Sequence, residues 1–145
     1  MKMELSELAK VLGGKKVLRI NLRNRMDLID LSKKGVTKDA LLHLAKYFSY
    51  SVHQMAQLLP VTERTLQRYT PGKPLSRIVS EQILQIAEVA AKGSEVFEGR
   101  DRFLIWMNHP NKALDNKIPM SLLNSKFGVD MVLDELGRIE HGVFS

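Results

Sequence analysis

The chain has 145 residues and a formal net charge of +6, with 22 Lys and Arg against 16 Asp and Glu. It contains no cysteine, which excludes disulfide bonds, thiolate metal sites and a cysteine nucleophile. The apolar runs are too short to cross a bilayer and no signal sequence is evident, so we expect a cytoplasmic protein without membrane partners.

The excess positive charge lies in the first two thirds of the chain. Residues 1–98 hold 16 Lys and Arg against 10 Asp and Glu, whereas residues 99–145 hold six of each. A basic segment favours nucleic acid, because its cations neutralise phosphate charge. The alternative is that this bias only keeps the surface soluble.

The spacing of apolar residues predicts an all-α protein. A first helix is expected over residues 3–12, where Gly13 and Gly14 end it, followed by a short strand over residues 17–22. Three short helices then follow residues that can cap a first turn. They cover residues 38–48, 52–59 and 63–69, after caps at Thr37, Ser51 and Thr62.

The remaining helices are predicted from similar start and stop signals. A long helix begins after Ser76, with Gly93 as its stop, and another covers residues 100–107. A short helix begins at Pro119. The last helix is predicted to follow a cap at Asp130 and to end at His141 and Gly142.

Residues 52–69 have the pattern of a helix-turn-helix. A second helix capped by Thr62 offers free amide groups to phosphate, and arginine and glutamine on its outer face suit guanine and adenine. The candidate DNA-binding residues are Thr62, Arg64, Thr65, Gln67 and Arg68. Pro60 occupies the turn where this motif often has glycine, and proline cannot adopt positive φ. The turn geometry must therefore differ, and the alternative is a unit that serves only as a dimerisation scaffold.

The sequence offers no argument for an enzyme or for a bound cofactor. The four histidines, His43, His53, His109 and His141, show no metal-binding spacing, and the serines lack a nucleophile motif. Solvated helix faces account for the carboxylates of the last third. We therefore predict a binding protein that uses neither a cofactor nor a metal.

The last third carries a recognisable pattern. Residues 106–114, 119–123, 127–128 and 136–144 together resemble the toxin-binding domain of the Xre/MbcA/ParS antitoxins, and the closing segment from Arg138 to Val143 is the most specific part. Residues 64–68, 75–76 and the long helix to Phe97 resemble the Xre-type helix-turn-helix region of that family.

Two positions depart from the family pattern. The loop before Pro119 usually has two glycines, where this chain has Asp115, Asn116 and Lys117, and Lys112 stands where proline is frequent. Aspartate and asparagine tolerate the left-handed conformation better than most residues, so we expect the turn to persist.

The resemblance implies an Xre-like helix-turn-helix bundle followed by a small helical toxin-binding domain. The expected divisions are a basic segment over residues 1–34, a helix-turn-helix and dimerisation domain over residues 35–98, and a toxin-binding domain over residues 99–145. The implied partners are a RES-domain toxin that consumes NAD, whose active site the antitoxin blocks, an operator DNA for autorepression, and a second copy bound through the N-terminal two thirds.

The candidate toxin-binding residues are exposed polar positions and the chain end. They are Asn108, Pro110, Arg138, Glu140, His141, Gly142, Val143, Phe144 and Ser145. The large apolar residues of the same region are better explained as core. The alternative function is a plain helix-turn-helix transcriptional regulator with a C-terminal protein-interaction domain.

Overall fold

The computed structural model describes the backbone of residues 2–142 and the side chains of residues 5–142. All regular secondary structure in this part of the chain is helical, with nine α-helices, two short 3₁₀ helices and no β-strand. The all-α prediction is therefore confirmed. Two isolated bridges, between Thr37 and Pro74 and between Asn111 and Lys117, are the extended pairings in the described residues.

The N-terminal segment folds into three helices rather than a helix and a strand. They are α1 (Lys2–Val11), α2 (Lys15–Leu18) and α3 (Arg25–Lys34). The first helix is confirmed. The predicted strand over residues 17–22 is wrong, because residues 15–18 form one helical turn and no neighbouring strand in the described residues offers backbone groups to pair with.

α3 is not among the helices predicted above, although its start signal is present in the sequence. The Asn24 side chain accepts a hydrogen bond from the Asp27 backbone N–H at 3.2 Å, and the Asp27 carboxylate accepts one from the Asn24 N–H at 3.3 Å. This reciprocal pair satisfies two amide groups that the first helical turn leaves without partners. Leu28 and Leu31 are the buried apolar residues of α3.

The three short helices predicted in the middle of the chain are confirmed. They are α4 (Lys38–Tyr47), α5 (Val52–Ala56) and α6 (Glu63–Arg68). The side chains of Thr37, Ser51 and Thr62 each accept a hydrogen bond from a backbone N–H of the following turn. α5 ends three residues earlier than predicted, so the turn before α6 runs from Gln57 to Val61.

A long central helix, α7 (Arg77–Val96), contacts α1, α3, α8 and α9. At 100° per residue its buried positions cover more than half of its circumference, as expected of a helix surrounded by others. These buried positions are Val79, Ser80, Ile83, Leu84, Ile86, Ala87, Val89, Ala90, Ala91 and Gly93.

The prediction that Gly93 ends this helix is wrong. The helix continues to Val96, and a Cβ at Gly93 would lie 2.0 Å from a ring carbon of Phe103. Phe103 is fully buried and belongs to α8 (Arg100–Met107). Gly93 therefore serves close packing between helices. Because it has no side chain, the Phe103 ring can approach the backbone of α7.

The C-terminal part contains α8, two 3₁₀ helices (Lys112–Leu114 and Pro119–Leu122) and α9 (Lys126–Glu140). The predicted end of α8 at Met107 and the start at Pro119 are confirmed. Asp115 and Asn116 both adopt left-handed conformations, with φ of 59° and 60°, so the turn persists without glycine.

The predicted cap of the last helix at Asp130 is wrong. Ser125 is the N-cap, and its hydroxyl accepts a hydrogen bond from the Gly128 N–H at 3.1 Å. Asp130 lies one turn into the helix, where its carboxylate pairs with Lys126 at 3.1 Å. α9 therefore begins well before the position that a cap at Asp130 requires.

Arg100 joins the C-terminal part to the middle of the chain. Its Nε donates to the Tyr47 carbonyl at 2.7 Å and its guanidinium donates to the Ser49 hydroxyl at 2.7 Å. These groups lie at and just after the end of α4, whose carbonyls are free to accept from a cation. The domain boundary expected after residue 98 stays a prediction, since α7 packs against helices on both sides of it.

No helix within residues 2–142 combines the length and the apolar character that crossing a bilayer requires.

The two helical glycines Gly93 and Gly137 give a matched test of the packing. Gly93→Ala is expected to lower the free energy of unfolding by about 1–3 kcal/mol, because its methyl group would overlap the buried Phe103 ring. In Gly137→Ala the added carbon has no atom within 4 Å. This variant is expected to raise the free energy of unfolding by about 0.5–1 kcal/mol, because alanine favours the helix over glycine. Urea denaturation of both variants measures the difference, and equal stabilisation by both would contradict the close contact.

Candidate functional site

The second helix of the helix-turn-helix presents three polar side chains together. Arg64, Gln67 and Arg68 are exposed and, at 100° per residue, lie within one sector of about 100° on α6. Leu66 lies away from this sector and is fully buried. The helix therefore anchors one face in the core and displays a basic, amide-bearing face outward.

The two threonines predicted as DNA-binding have a local structural role. The Thr62 hydroxyl accepts a hydrogen bond from the Thr65 backbone N–H at 3.1 Å, and the two hydroxyls are 2.9 Å apart. Thr62 therefore caps α6 and Thr65 completes the cap. Both are exposed, but the structure does not group them with the outer face of Arg64, Gln67 and Arg68.

Pro60 is compatible with this motif. None of residues 57–61, all within the described part of the chain, has positive φ, so the turn needs no glycine. Across the turn, the Glu63 carboxylate lies 3.0 Å from the His53 ring nitrogen Nδ1, within hydrogen-bond distance. This contact holds the one acidic side chain of α6 against α5.

The loop after α6 is tied to the core by a buried hydroxyl. Ser80 on α7 accepts a hydrogen bond from the Val36 N–H at 2.8 Å and donates one to the Leu75 carbonyl at 3.3 Å. The Leu75 N–H also donates to the Val36 carbonyl at 2.8 Å. These hydrogen bonds hold the segment after α6 in place, and they thereby fix the orientation of α6.

The predicted toxin-binding residues fall into two groups at the ends of two helices. Asn108 and Pro110 are exposed after α8, and the Asn108 side-chain amide donates to the Leu104 carbonyl at 2.7 Å, which caps that helix. Arg138, Glu140 and His141 lie at the end of α9. Within the described residues, no hydrogen bond or ion pair joins the two groups.

The end of α9 is held against the central helix by an ion pair. The Lys92 amine lies 2.5 Å from a Glu140 carboxylate oxygen, and both side chains are less than a third exposed. The hydrogen bond from Lys92 lowers the pKa of the Glu140 carboxyl below its ordinary value. Glu140 therefore positions the end of the helix. His141 is exposed beside it, and Arg138 is exposed one turn earlier.

The last three predicted residues, Val143, Phe144 and Ser145, lie outside the described residues. Gly142 precedes them with φ of 72°, a left-handed conformation that suits glycine after a helix end. The helix end predicted at His141 and Gly142 is confirmed.

The exposed face of α9 contains two apolar residues that the sequence analysis did not include among its sites. Phe127 is 83 % exposed and Met131 is 46 % exposed. They are four residues apart, and Arg138 continues the same face two turns later. The opposite face, with Val129, Val132 and Leu136, is buried. This face could not be predicted with the helix start at Asp130, because a helix that begins there does not include Phe127.

The described residues contain no group of three or more His, Asp or Glu side chains suited to a metal ion. Two surfaces combine exposure with a regular arrangement of side chains, the polar face of α6 and the exposed face of α9. Both suit contact with a macromolecule. The fold and these surfaces define a helix-turn-helix protein with a C-terminal interaction domain.

Two family models match the chain. The antitoxin Xre-like helix-turn-helix domain matches residues 27–88, and the antitoxin Xre/MbcA/ParS C-terminal toxin-binding domain matches residues 92–142. Antitoxin Xre of Yersinia enterocolitica serotype O:8 / biotype 1B is 30 % identical over 120 residues, which cover 81 % of each chain. The chain therefore belongs to the Xre/MbcA/ParS antitoxins of toxin–antitoxin systems.

One further relative and one solved structure are also similar to this chain. Antitoxin Xre of Photorhabdus laumondii subsp. laumondii is 33 % identical over 67 residues, which cover 46 % of this chain and 45 % of that one. A chain in the crystal structure of the M. tuberculosis MbcT–MbcA toxin–antitoxin complex aligns with a TM-score of 0.57 and 19 % identity. That match covers 86 % of this chain and 100 % of the other, and it supports the shared fold.

The ion pair at the end of α9 predicts a pH-dependent stability. Because the folded-state pKa of Glu140 is lowered, its contribution is present at neutral pH and is lost as the pH falls through that lowered pKa. Glu140→Gln is expected to lower the free energy of unfolding by about 0.5–1 kcal/mol at pH 7. As the pH falls through this lowered pKa and the carboxyl of the parent protein becomes protonated too, the difference should shrink toward zero.

Glu81→Gln is the matched control, because Glu81 pairs with Arg77 on the exposed surface of a single helix. It should change stability little at either pH. Chemical denaturation of the three proteins at about pH 7 and about pH 3, above and below the ordinary pKa of a glutamate, measures the effect. A destabilisation in Glu140→Gln that is equal at both pH values would assign it to packing instead.

Proposed function

We propose that this antitoxin neutralises a RES-type, NAD-consuming toxin by blocking its active site, and that it does so without catalysis of its own. The observation that carries the proposal is the exposed face of α9, within the segment that matches the toxin-binding domain. Two apolar side chains, Phe127 and Met131, stand there with Arg138 and His141 at the far end. Large apolar anchors bordered by polar groups are typical of protein interfaces.

The two ends of this face present different kinds of side chain. Phe127 and Met131 supply apolar area near the start of α9, whereas Arg138 and His141 supply charge and hydrogen bonds near its end. The contact between Lys92 and Glu140 holds that end in place, so the chain leaves α9 from a defined point. We propose that the helix face docks on the toxin and that the chain end enters the active-site cleft.

The docking face is tested by co-expression with the toxin candidate encoded beside this gene. Phe127→Ala and Met131→Ala are each expected to weaken toxin binding about tenfold or more, because truncation of a central anchor typically costs over about 1 kcal/mol. The double variant should fail to protect growth and cellular NAD. Both side chains are exposed, so the thermal stability of the free antitoxin should not fall.

Ile78→Ala is the control for this experiment. Ile78 is an exposed apolar residue of α7, 71 % accessible, and lies outside the segment that matches the toxin-binding domain. A further chain that stops after Gly142 removes residues 143–145 and leaves α9 with its ion pair. Full protection by the double variant would remove the docking role. Full protection by the shortened chain would remove the role of the chain end.

We also propose that the helix-turn-helix binds an operator as a homodimer formed through the N-terminal two thirds, for autorepression in the cytoplasm. The support is the outward face of α6, where two arginines flank a glutamine and the nearby carboxylate is drawn back to His53. Helix-turn-helix proteins commonly read two half-sites as dimers. A plain transcriptional regulator would have the same face, but the match to the toxin-binding domain does not favour that alternative.

Operator binding is tested on the DNA upstream of this gene. Arg64→Ala and Arg68→Ala are each expected to weaken specific binding by about 1–3 kcal/mol if the side chain reads a base edge. Fluorescence anisotropy with the upstream duplex and with a scrambled duplex measures affinity and discrimination. Arg102→Ala, an exposed cation of α8, is the control. An unchanged ratio between the two duplexes would limit these arginines to phosphate contacts.

A further inference from the structure

A cleft lies between the N-terminal segment and the turn that follows α6. Its volume is about 290 Å³. Its wall includes Lys16, Arg19 and Lys34 on one side and Gly72 and Pro74 of the turn on the other. The helix-turn-helix match begins only at residue 27, so the first two of these cations belong to a part of the chain that neither family model covers.

The cleft is positively charged. Lys16, Arg19 and Lys34 are all exposed, and none of the three makes an ion pair within the part of the chain that the structure describes. Asp39 is the one acidic residue of the wall, and its carboxylate lies 3.5 Å from the His43 ring. Three cations therefore line the cleft against one carboxylate, which favours an anionic ligand.

The backbone at Arg19 is unusual for an arginine. Arg19 ends α2 in the left-handed conformation, with φ of 56°. Residues with a Cβ occupy this region at a cost, and asparagine or glycine fills it more easily. An arginine at this position is therefore less favourable for the turn itself than asparagine or glycine would be.

The cleft adjoins the candidate DNA-reading helix. The turn in its wall contains Lys73, whose amine lies 4.7 Å from the centre of the Tyr69 ring. The Lys38 amine donates to the Tyr69 carbonyl at 3.0 Å, and Tyr69 directly follows Arg68, the last residue of α6. Lys38 and Lys73 therefore extend the basic surface from the end of α6 toward the cleft.

The length of α6 is compatible with backbone contacts by this basic region when the helix enters the major groove. A helix of about six residues is about 9 Å long. The major groove is about 12 Å wide. Groups just beyond the end of so short a helix can therefore reach the phosphates that border the groove.

We propose that this cleft binds the phosphodiester backbone of DNA next to the base pairs that α6 reads, so that the N-terminal segment extends the DNA-binding surface. The proposal rests on the operator binding proposed above. It assigns Lys16, Arg19 and Lys34 to phosphate contacts, which add affinity and register without reading sequence.

The test is a triple variant, Lys16→Ala with Arg19→Asn and Lys34→Ala, in the full chain. Asparagine is chosen at residue 19 because it tolerates the left-handed backbone. The control triple variant, Arg102→Ala with Lys112→Ala and Lys117→Ala, removes the same formal charge from the surface of the last third. Binding to the upstream and scrambled duplexes is measured by anisotropy between about 50 and 200 mM salt.

The cleft variant is expected to bind both duplexes about tenfold more weakly, with an unchanged ratio between them. The slope of log affinity against log salt should fall by about one for each phosphate that the variant no longer neutralises. The control variant should keep the affinity and the slope of the parent protein. Circular dichroism and thermal melting verify that both variants are folded.

The experiment distinguishes a failure of this inference from a failure of the proposed operator binding. If the parent protein binds neither duplex, the proposed operator binding fails and this inference fails with it. If the parent protein binds and the cleft variant keeps its affinity and salt slope, only this inference fails. Titration with inorganic pyrophosphate tests a small free anion as the source of the phosphate. Binding of pyrophosphate that the cleft variant abolishes, with DNA binding unchanged, would also overturn the DNA assignment.

Discussion

The burial of α7 is the constraint on which the rest of the structure depends. Helices from both ends of the chain pack on it, and its buried positions cover more than half of its circumference. At Gly93 the absence of a side chain admits the Phe103 ring against the helix backbone. Interiors packed this densely leave no room for an added carbon, so the contact fixes how α8 returns along α7.

This central packing allows two separate surfaces to be presented by one small molecule. α6 is anchored through Leu66 and turns its arginines and glutamine outward. α9 is anchored through Val129, Val132 and Leu136, which leaves Phe127 and Met131 exposed. Each surface is held in place because the opposite face of its helix is buried, and a preorganised surface loses less entropy when a partner binds.

Polar contacts decide where these surfaces point. The Ser80 hydroxyl ties Val36 and Leu75 together beneath the segment that leaves α6. Arg100 joins α8 to the end of α4, and Lys92 joins α7 to the end of α9 through Glu140. Hydrogen bonds of this kind add modest stability, but their geometry specifies one arrangement of the helices.

The sequence by itself determined the helical class, most helix starts, the helix-turn-helix and the family resemblance. Local signals carry this information, since Thr37, Ser51 and Thr62 cap helices through hydrogen bonds within one turn. Only the tertiary structure decided what Gly93 does, because its role depends on a ring from the next helix. It also decided that Ser125, rather than Asp130, begins α9, and that Phe127 is exposed while Phe103 is buried. The difference between a core residue and a candidate contact is a matter of which neighbours cover it, and those neighbours come from distant parts of the chain.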